Sequence, residues 1–195
     1  MKHEMTLSKS YLRFCIIYIF MNVVNVGIQH ASAQNAVDIL GYICHPLSSP
    51  SGEVTIHYPV GWKVTNTTVK GGVSGVIIQA TGNTSHSIYM MYAWSDERSA
   101  VNKRLTQKDL NLLEQELVKT GAVVEKADII TLGKVRMLVV EGTGDLHGIE
   151  TQIMSIAWVY KQRRYEWMFY SYGDQEQSEP NVKMFAALIQ GIQFH

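Results

Sequence analysis

The sequence predicts an α+β fold, an α/β/α sandwich in which an antiparallel β-sheet meander is flanked by helices. Alternating apolar residues mark three consecutive strands, Val135–Glu141, Glu150–Tyr160 and Tyr165–Tyr172. The middle strand carries apolar side chains on both faces, which predicts that helices cover both faces of the sheet. A helix with clear end signals precedes these strands, and a second helix follows them.

The first 33 residues are predicted to be a secretory signal peptide. A basic leader precedes an apolar run from Phe14 to Ile28, and Ala31 and Ala33 provide the small-x-small cleavage pattern. The mature chain is therefore expected to begin at Gln34 and to be exported, to a periplasm or outside the cell. The alternative is a membrane anchor, but two asparagines interrupt the run, which is short for a spanning helix. We expect no stable membrane span after cleavage.

Composition limits the classes of partner. Of the 195 residues, 46% are hydrophobic and the formal net charge is zero, so the chain can build a core but has no basic excess to bind nucleic acid. We expect a flexible lead-in over residues 34–52, with a short helix or strand as an alternative around Ala36–Ile43, and one α+β domain over residues 53–195. Cys44 is the only cysteine after residue 33, which excludes a disulfide within the mature chain.

The first clear strand is Val54–Tyr58, which Pro59 ends because proline cannot donate to a ladder. Alternation predicts that its even-numbered residues face the core, whereas Thr55 and His57 face outward. Further strands are predicted at Val76–Ala80, Ser87–Trp94 and Val123–Leu132.

Two helices are predicted. The first covers Gln107–Thr120, because Thr106 is a good N-cap and Asp109 stands at the third helical position. Leucines at helical spacing form one apolar stripe, so this helix should lie on the sheet. The second covers Glu179–Gln190, with Ser178 as its N-cap and a proline in its first turn.

Two segments resemble the PsbP-like superfamily, which includes PsbP, the Mog proteins and DcrB-like lipoproteins. The first strand ends in an aromatic-Pro-x-Gly-Trp pattern at Tyr58–Trp62, and the helical stretch Phe185–Phe194 ends in Ile-Gln-Phe. The resemblance implies an α/β/α sandwich on an antiparallel sheet, and a binding or assembly role without catalysis. No metal-binding or partner-binding residue of that family can be matched to a position in this chain.

Candidate catalytic and metal sites are weak. Cys44 and His45 could form a thiolate–imidazole pair, but neighbours in an extended segment point to opposite sides, so a buried cysteine is favoured. The histidines lack metal-ligand spacing. The glycine-rich loop Gly142–Gly148 leads into a strand and holds a single carboxylate, which argues against phosphate or calcium binding. No metal and no cofactor is therefore expected. Asn66 and Asn83 stand in glycosylation sequons, which matter only in a eukaryote.

The favoured function is a secreted or periplasmic, non-enzymatic binding or assembly protein whose partner is another envelope or extracellular protein. Recognition is expected in the Pro59–Trp62 turn, with Trp62 as anchor, and in the Gly142–Gly148 loop through Asp145 and His147. The alternative for Trp62 is that it caps the core beneath the turn. A second hypothesis is a carrier that encloses a hydrophobic ligand among the aromatic residues of the meander. An enzyme is the third, although the sequence offers no converging nucleophile, base and acid.

Overall fold

The structure is a computed structural model, and it describes residues 36–69, 73–80, 88–95, 105–146, 148–173 and 175–195. The predicted signal peptide and His147 lie outside these residues. The described chain contains the following elements in order: β1 (Val37–Ile39), β2 (Tyr42–Ser48), β3 (Val54–Pro59), β4 (Lys63–Val69), β5 (Val73–Gln79), β6 (Ile88–Ser95), α1 (Gln107–Lys119), β7 (Val123–Leu132), β8 (Val135–Leu146), β9 (Ile149–Tyr160), β10 (Arg163–Tyr172), α2 (Gln175–Gln190) and β11 (Gln193–Phe194).

Seven strands form one large antiparallel sheet in the order β4-β5-β6-β10-β9-β8-β7. The predicted meander is its β8–β9–β10 part, where Tyr165 lies opposite both Trp158 and Trp94. The central strand of the sheet is β10, and one of its two neighbours, β6, is distant from it in sequence.

Helix α1 covers one face of the large sheet, and α2 with a smaller sheet covers the other. On β9, Ile153 and Ala157 pack against the buried leucines of α1. Met154, Ile156 and Trp158 point the other way, into the larger core. Covering of both faces, predicted from the apolar residues of this strand, is thus confirmed.

The smaller sheet has the order β1-β2-β3-β11 and corrects two predictions. The expected flexible lead-in supplies β1 and β2, which pair antiparallel with each other and with β3. Because of Pro46, the sequence of β2 is interpreted as a loop. Proline is tolerated at this position because β1 pairs only with the first residues of β2, so no neighbouring strand needs a hydrogen bond from residue 46 on that side. Thr55 and His57, predicted to face outward, are buried, because the chain at and after the end of α2 covers them. Thr55 Oγ1 lies 3.1 Å from Nε2 of His195, and His57 contacts the Gly191 backbone.

Both predicted helices are present. At the start of α1, the Asp109 carboxylate accepts hydrogen bonds from the backbone and hydroxyl of Thr106, at 2.9 and 2.7 Å. Helix α2 begins at Gln175, four residues earlier than predicted, so Ser178 lies inside it rather than at its N-cap. Residues 175–179 are rich in Gln and Glu, which are good helix formers, and Pro180 does not prevent the extension. No helix of the described chain is both long and apolar enough to cross a bilayer.

Candidate recognition surface

Trp62 ends the turn that links the small sheet to the large one. Its backbone N–H donates to the Pro59 carbonyl at 3.3 Å, and Gly61 supplies the left-handed conformation of the turn with φ of 87°. The indole is half-buried and packs against the large core. The Trp62 side chain therefore covers part of the core, while the rest of it stays accessible to solvent.

Asp145 lies at the end of β8, in the hairpin that leads to β9, and is exposed. Its Oδ1 accepts a hydrogen bond of 2.6 Å from the backbone N–H of Gly148. One carboxylate oxygen thus shapes the turn. The position of the third candidate, His147, lies outside the described residues.

The loop predicted over Gly142–Gly148 is largely strand. Gly142 lies where β7 has an irregular register between Val124 and Lys126, and a Cβ on this glycine would clash with the Val123 carbonyl oxygen. Glycine is therefore required for close approach of the two strands, and not for a flexible recognition loop.

Trp62 and Asp145 lie at the same end of the large sheet but not in one site. The strand that follows Trp62 is the β4 edge, and Asp145 belongs to β8. Five strand-to-strand steps separate β4 from β8, which corresponds to about 24 Å. A single small ligand cannot contact both residues, whereas a macromolecular partner can.

Three exposed aliphatic residues, Leu40, Ile43 and Val60, lie beside the Trp62 turn and were not singled out from the sequence. The carbonyl of Ile43 accepts a hydrogen bond of 3.0 Å from the Val60 N–H, and Leu40 forms the adjoining β1–β2 turn. Their exposed fractions are 70%, 55% and 47% respectively. We call these three residues the aliphatic tip. A leucine followed by glycine between two short apolar strands is the sequence signal that could have revealed it.

Cys44 and His45 do not form a catalytic pair. The Cys44 side chain is fully buried and its thiol donates to the Tyr42 carbonyl at 3.3 Å. Burial, together with the nearby Asp38 carboxylate, raises the pKa of this thiol to about 11. The His45 ring instead contacts Tyr58, with ring centroids 5.8 Å apart. A buried, protonated thiol is a poor nucleophile, as the preferred interpretation of the sequence held.

A buried polar cluster joins the two sheets at the opposite end of β3. Glu53 Oε2 lies 3.3 Å from Nε of Arg163 and accepts hydrogen bonds of 3.1 Å from the hydroxyls of Tyr165 and Ser51. Burial is the main reason why the pKa of Tyr165 is raised. These contacts connect Glu53, the residue before β3, to Arg163 and Tyr165 of β10, so the cluster links the two sheets. Sequence reasoning missed it because its members are distant along the chain.

The aromatic residues of the meander fill the core rather than a groove. Trp158 stacks on Tyr165 at 5.6 Å, and Phe185 of α2 stacks on Phe169 at 4.7 Å. One surface cleft of the described chain, which Phe169 helps to line, has a volume of about 220 Å³. Sites for drug-sized ligands usually exceed roughly 300 Å³. This cleft therefore does not by itself support a carrier of a hydrophobic ligand.

Within the described ranges, no three histidine, cysteine, aspartate or glutamate side chains are grouped so as to hold a metal ion. Neither the buried polar cluster nor the aliphatic tip resembles a catalytic constellation.

No protein-family model matches this chain, and no curated protein matches it by sequence. Solved structures do match. The cyanobacterial PsbP protein, CyanoP, of Synechocystis sp. PCC 6803 superposes with a TM-score of 0.56 at 13% identity, over 78% of this chain and 92% of that one. LpqN of Mycobacterium tuberculosis, described as involved in cell envelope biogenesis, gives a TM-score of 0.51 at 10% identity, over 77% and 89% of the two chains. The two-sided antiparallel sheet and these superpositions together show that the chain has a PsbP-like α+β fold.

Proposed function

We propose that this chain is an exported, envelope-associated protein that works by binding another protein and not by catalysis. The observation that carries the proposal is the accessible part of Trp62, on a turn that is rigidly attached to both sheets. Aromatic residues on well-supported turns are frequent anchors of protein interfaces.

Three further observations support it. The only cysteine of the described residues is buried and protonated. CyanoP and LpqN share the fold, and LpqN is described as acting in cell envelope biogenesis. Asp145, at the same end of the large sheet, offers a charged group to a partner broad enough to span about 24 Å. His147 belongs to the same hairpin by sequence and is retained as a proposed contact.

The test is a pull-down from the native envelope with wild-type protein and with Trp62→Ala, after circular dichroism has shown that both are folded. We expect the Trp62→Ala variant to lose most of the captured partner, and Trp62→Phe to retain it in part. Val118→Ala is a matched control, because Val118 is 53% exposed on the outer side of α1.

Unchanged capture by folded Trp62→Ala would contradict the proposed anchor. A measurable turnover that Cys44→Ala or His147→Ala abolishes, with the fold intact, would contradict the non-enzymatic proposal.

A further inference from the structure

Leu40 combines a strained backbone with an exposed apolar side chain. Its φ is 50° and that of Gly41 is 91°, so both central residues of this two-residue turn are left-handed. Asn and Gly are preferred at such positions, and leucine adopts this conformation at an energetic cost. Leu40 is nevertheless 70% exposed and gains little from burial. Leu40 is favoured neither by the conformation of its turn nor by burial in the core. Its presence therefore indicates a functional role rather than a contribution to stability.

The chemistry of the aliphatic tip favours lipid over protein. Its members are Leu, Ile and Val, whereas protein hot spots are enriched in Trp, Tyr and Arg. Three side chains on two adjoining turns also present far less area than the roughly 800 Å² that one partner buries in a standard protein interface. Short aliphatic groups on a protruding turn can instead enter the boundary between headgroups and acyl chains.

The polar groups around the tip are compatible with that environment. Asp38, next to the turn, directs Oδ1 at the Gly41 N–H at 2.7 Å, so this oxygen is already hydrogen-bonded. Trp62 lies two residues after Val60, and a half-buried indole suits the interfacial zone of a bilayer.

The described chain begins close to this end, because β1 is only three residues long and leads directly to Leu40. Val37 of β1 lies opposite Cys44, which in turn pairs with Pro59 just before the Trp62 turn. In the sequence, residues 29–35 are all that separate the apolar run ending at Ile28 from Ala36. That stretch can reach at most roughly 25–30 Å. While the run occupies a membrane, the aliphatic tip is held near the same surface.

We propose that the aliphatic tip, Leu40, Ile43 and Val60, inserts reversibly into the surface of a lipid bilayer, so that the Trp62 end of the molecule rests on a membrane. This proposal rests on the proposed envelope function and extends it, since a partner protein in the same membrane would be within reach of Trp62. Asp145 and Glu150 lie in a hairpin at the same end, and their negative charges would repel anionic lipid. The proposed insertion therefore does not depend on electrostatic attraction.

The experiment is flotation of the purified exported protein with vesicles of phosphatidylcholine, which carry no net charge. We expect the wild type to float, and Leu40→Asn/Ile43→Ser to partition at least about tenfold more weakly because two inserted side chains are lost. Asn suits the left-handed position of residue 40 and offsets the lower strand preference of Ser at residue 43. Circular dichroism and a thermal melt at the assay temperature check that the variant is folded, so that unfolding does not explain the loss. Leu112→Ser/Val118→Ser is the matched control, since these residues are similarly exposed on α1.

Three results would overturn the inference: no flotation of the wild type, equal flotation of the tip variant, or an equal loss in the α1 control. Binding only to anionic vesicles that salt abolishes would also overturn it, and would point to Lys134 and Lys161 at the opposite hairpins. The assay uses the processed chain that begins at Gln34, because an uncleaved apolar run would itself attach every variant to the vesicles. A failure of export or of Trp62 recognition is detected separately.

Discussion

The buried Cys44 thiol illustrates how environment decides the chemistry of a single residue. With a pKa of about 11, the thiol is almost fully protonated near neutral pH, and no path leads from solvent to the sulfur. The same side chain in an exposed loop would titrate about two pH units lower and would react with disulfides.

We therefore predict that native protein does not react with Ellman's reagent at about pH 8, whereas the protein in denaturant does. Release of thionitrobenzoate is the measurement. Rapid labelling of the native exported protein would show that Cys44 is accessible.

His57 is expected to make stability depend on pH. Burial lowers its pKa from the ordinary 6.5, a shift that the hydrogen bond to the Gly191 backbone opposes only in part. The unfolded chain therefore takes up this proton at a higher pH than the folded chain. The stabilisation is present above the unfolded pKa and is lost as the pH falls through the folded one.

Thermal melts of wild type and His57→Gln between about pH 7.5 and 5 check this prediction. The wild type should lose more stability on acidification than the variant, because only the wild type has to protonate a buried imidazole. A parallel fall in both proteins would contradict the assignment.

At the scale of elements, α1 depends on a narrow apolar stripe. Leu110, Leu113 and Leu117 are buried against the large sheet, while Leu112 is 49% exposed. Two adjacent leucines of one helix thus lie in opposite environments and allow a direct comparison.

Leu113→Ala should lower the free energy of unfolding by about 2–5 kcal/mol, the usual range for a buried leucine. Leu112→Ala should change it by less than about 0.5 kcal/mol, as expected for an exposed position. Urea denaturation measures both. Equal effects would mean that this face of α1 is not packed as described.

The β9–β10 hairpin contains a turn that its own sequence does not favour. Lys161 and Gln162 have φ of 46° and 67°, although their side chains disfavour the left-handed region. Replacing them with Asn and Gly, which fit this turn type, should stabilise the protein by about 1 kcal/mol.

Lys134→Asn is the control for that hairpin variant, because Lys134 sits in the β7–β8 turn but is not among the left-handed residues. Equilibrium unfolding of the two proteins provides the comparison. No gain from the Asn-Gly turn, or an equal gain from Lys134→Asn, would contradict the strained geometry.

The sequence was most informative where a local rule decides the structure. Alternation along β9 predicted both of its buried faces, and the Thr106–Asp109 signal predicted the start of α1. It failed where distant parts of the chain meet. Pro46 argued against a strand that forms only because β3 pairs with it. No local pattern relates Glu53 to Arg163. The strained backbone at Leu40 has no clear sequence signal either. The periodicity of apolar residues indicates which side chains are buried. The sequence gives weaker signals for the pairing of distant strands and for the backbone conformation of single residues.

At the scale of the whole molecule, the proposed export rests on the leader, the apolar run and the Ala-x-Ala pattern in the first 33 residues. N-terminal sequencing of the protein recovered from the medium or periplasm should begin at or near Gln34. An intact Met1 on a protein that stays in the cytoplasm would contradict the proposed export.

The pairing of β11 with β3 has a consequence for biosynthesis. Gln193 and Phe194, almost the last residues of the chain, complete the ladder beside Thr55 and Val54. If the chain crosses a membrane from its N-terminus onward, β3 emerges early but cannot pair with β11 until residues 193–194 have been translated and transported. During that interval the unpaired edge of β3 stays available to chaperones and proteases. Chains released early, without β11, should therefore be cleared by proteolysis rather than accumulate.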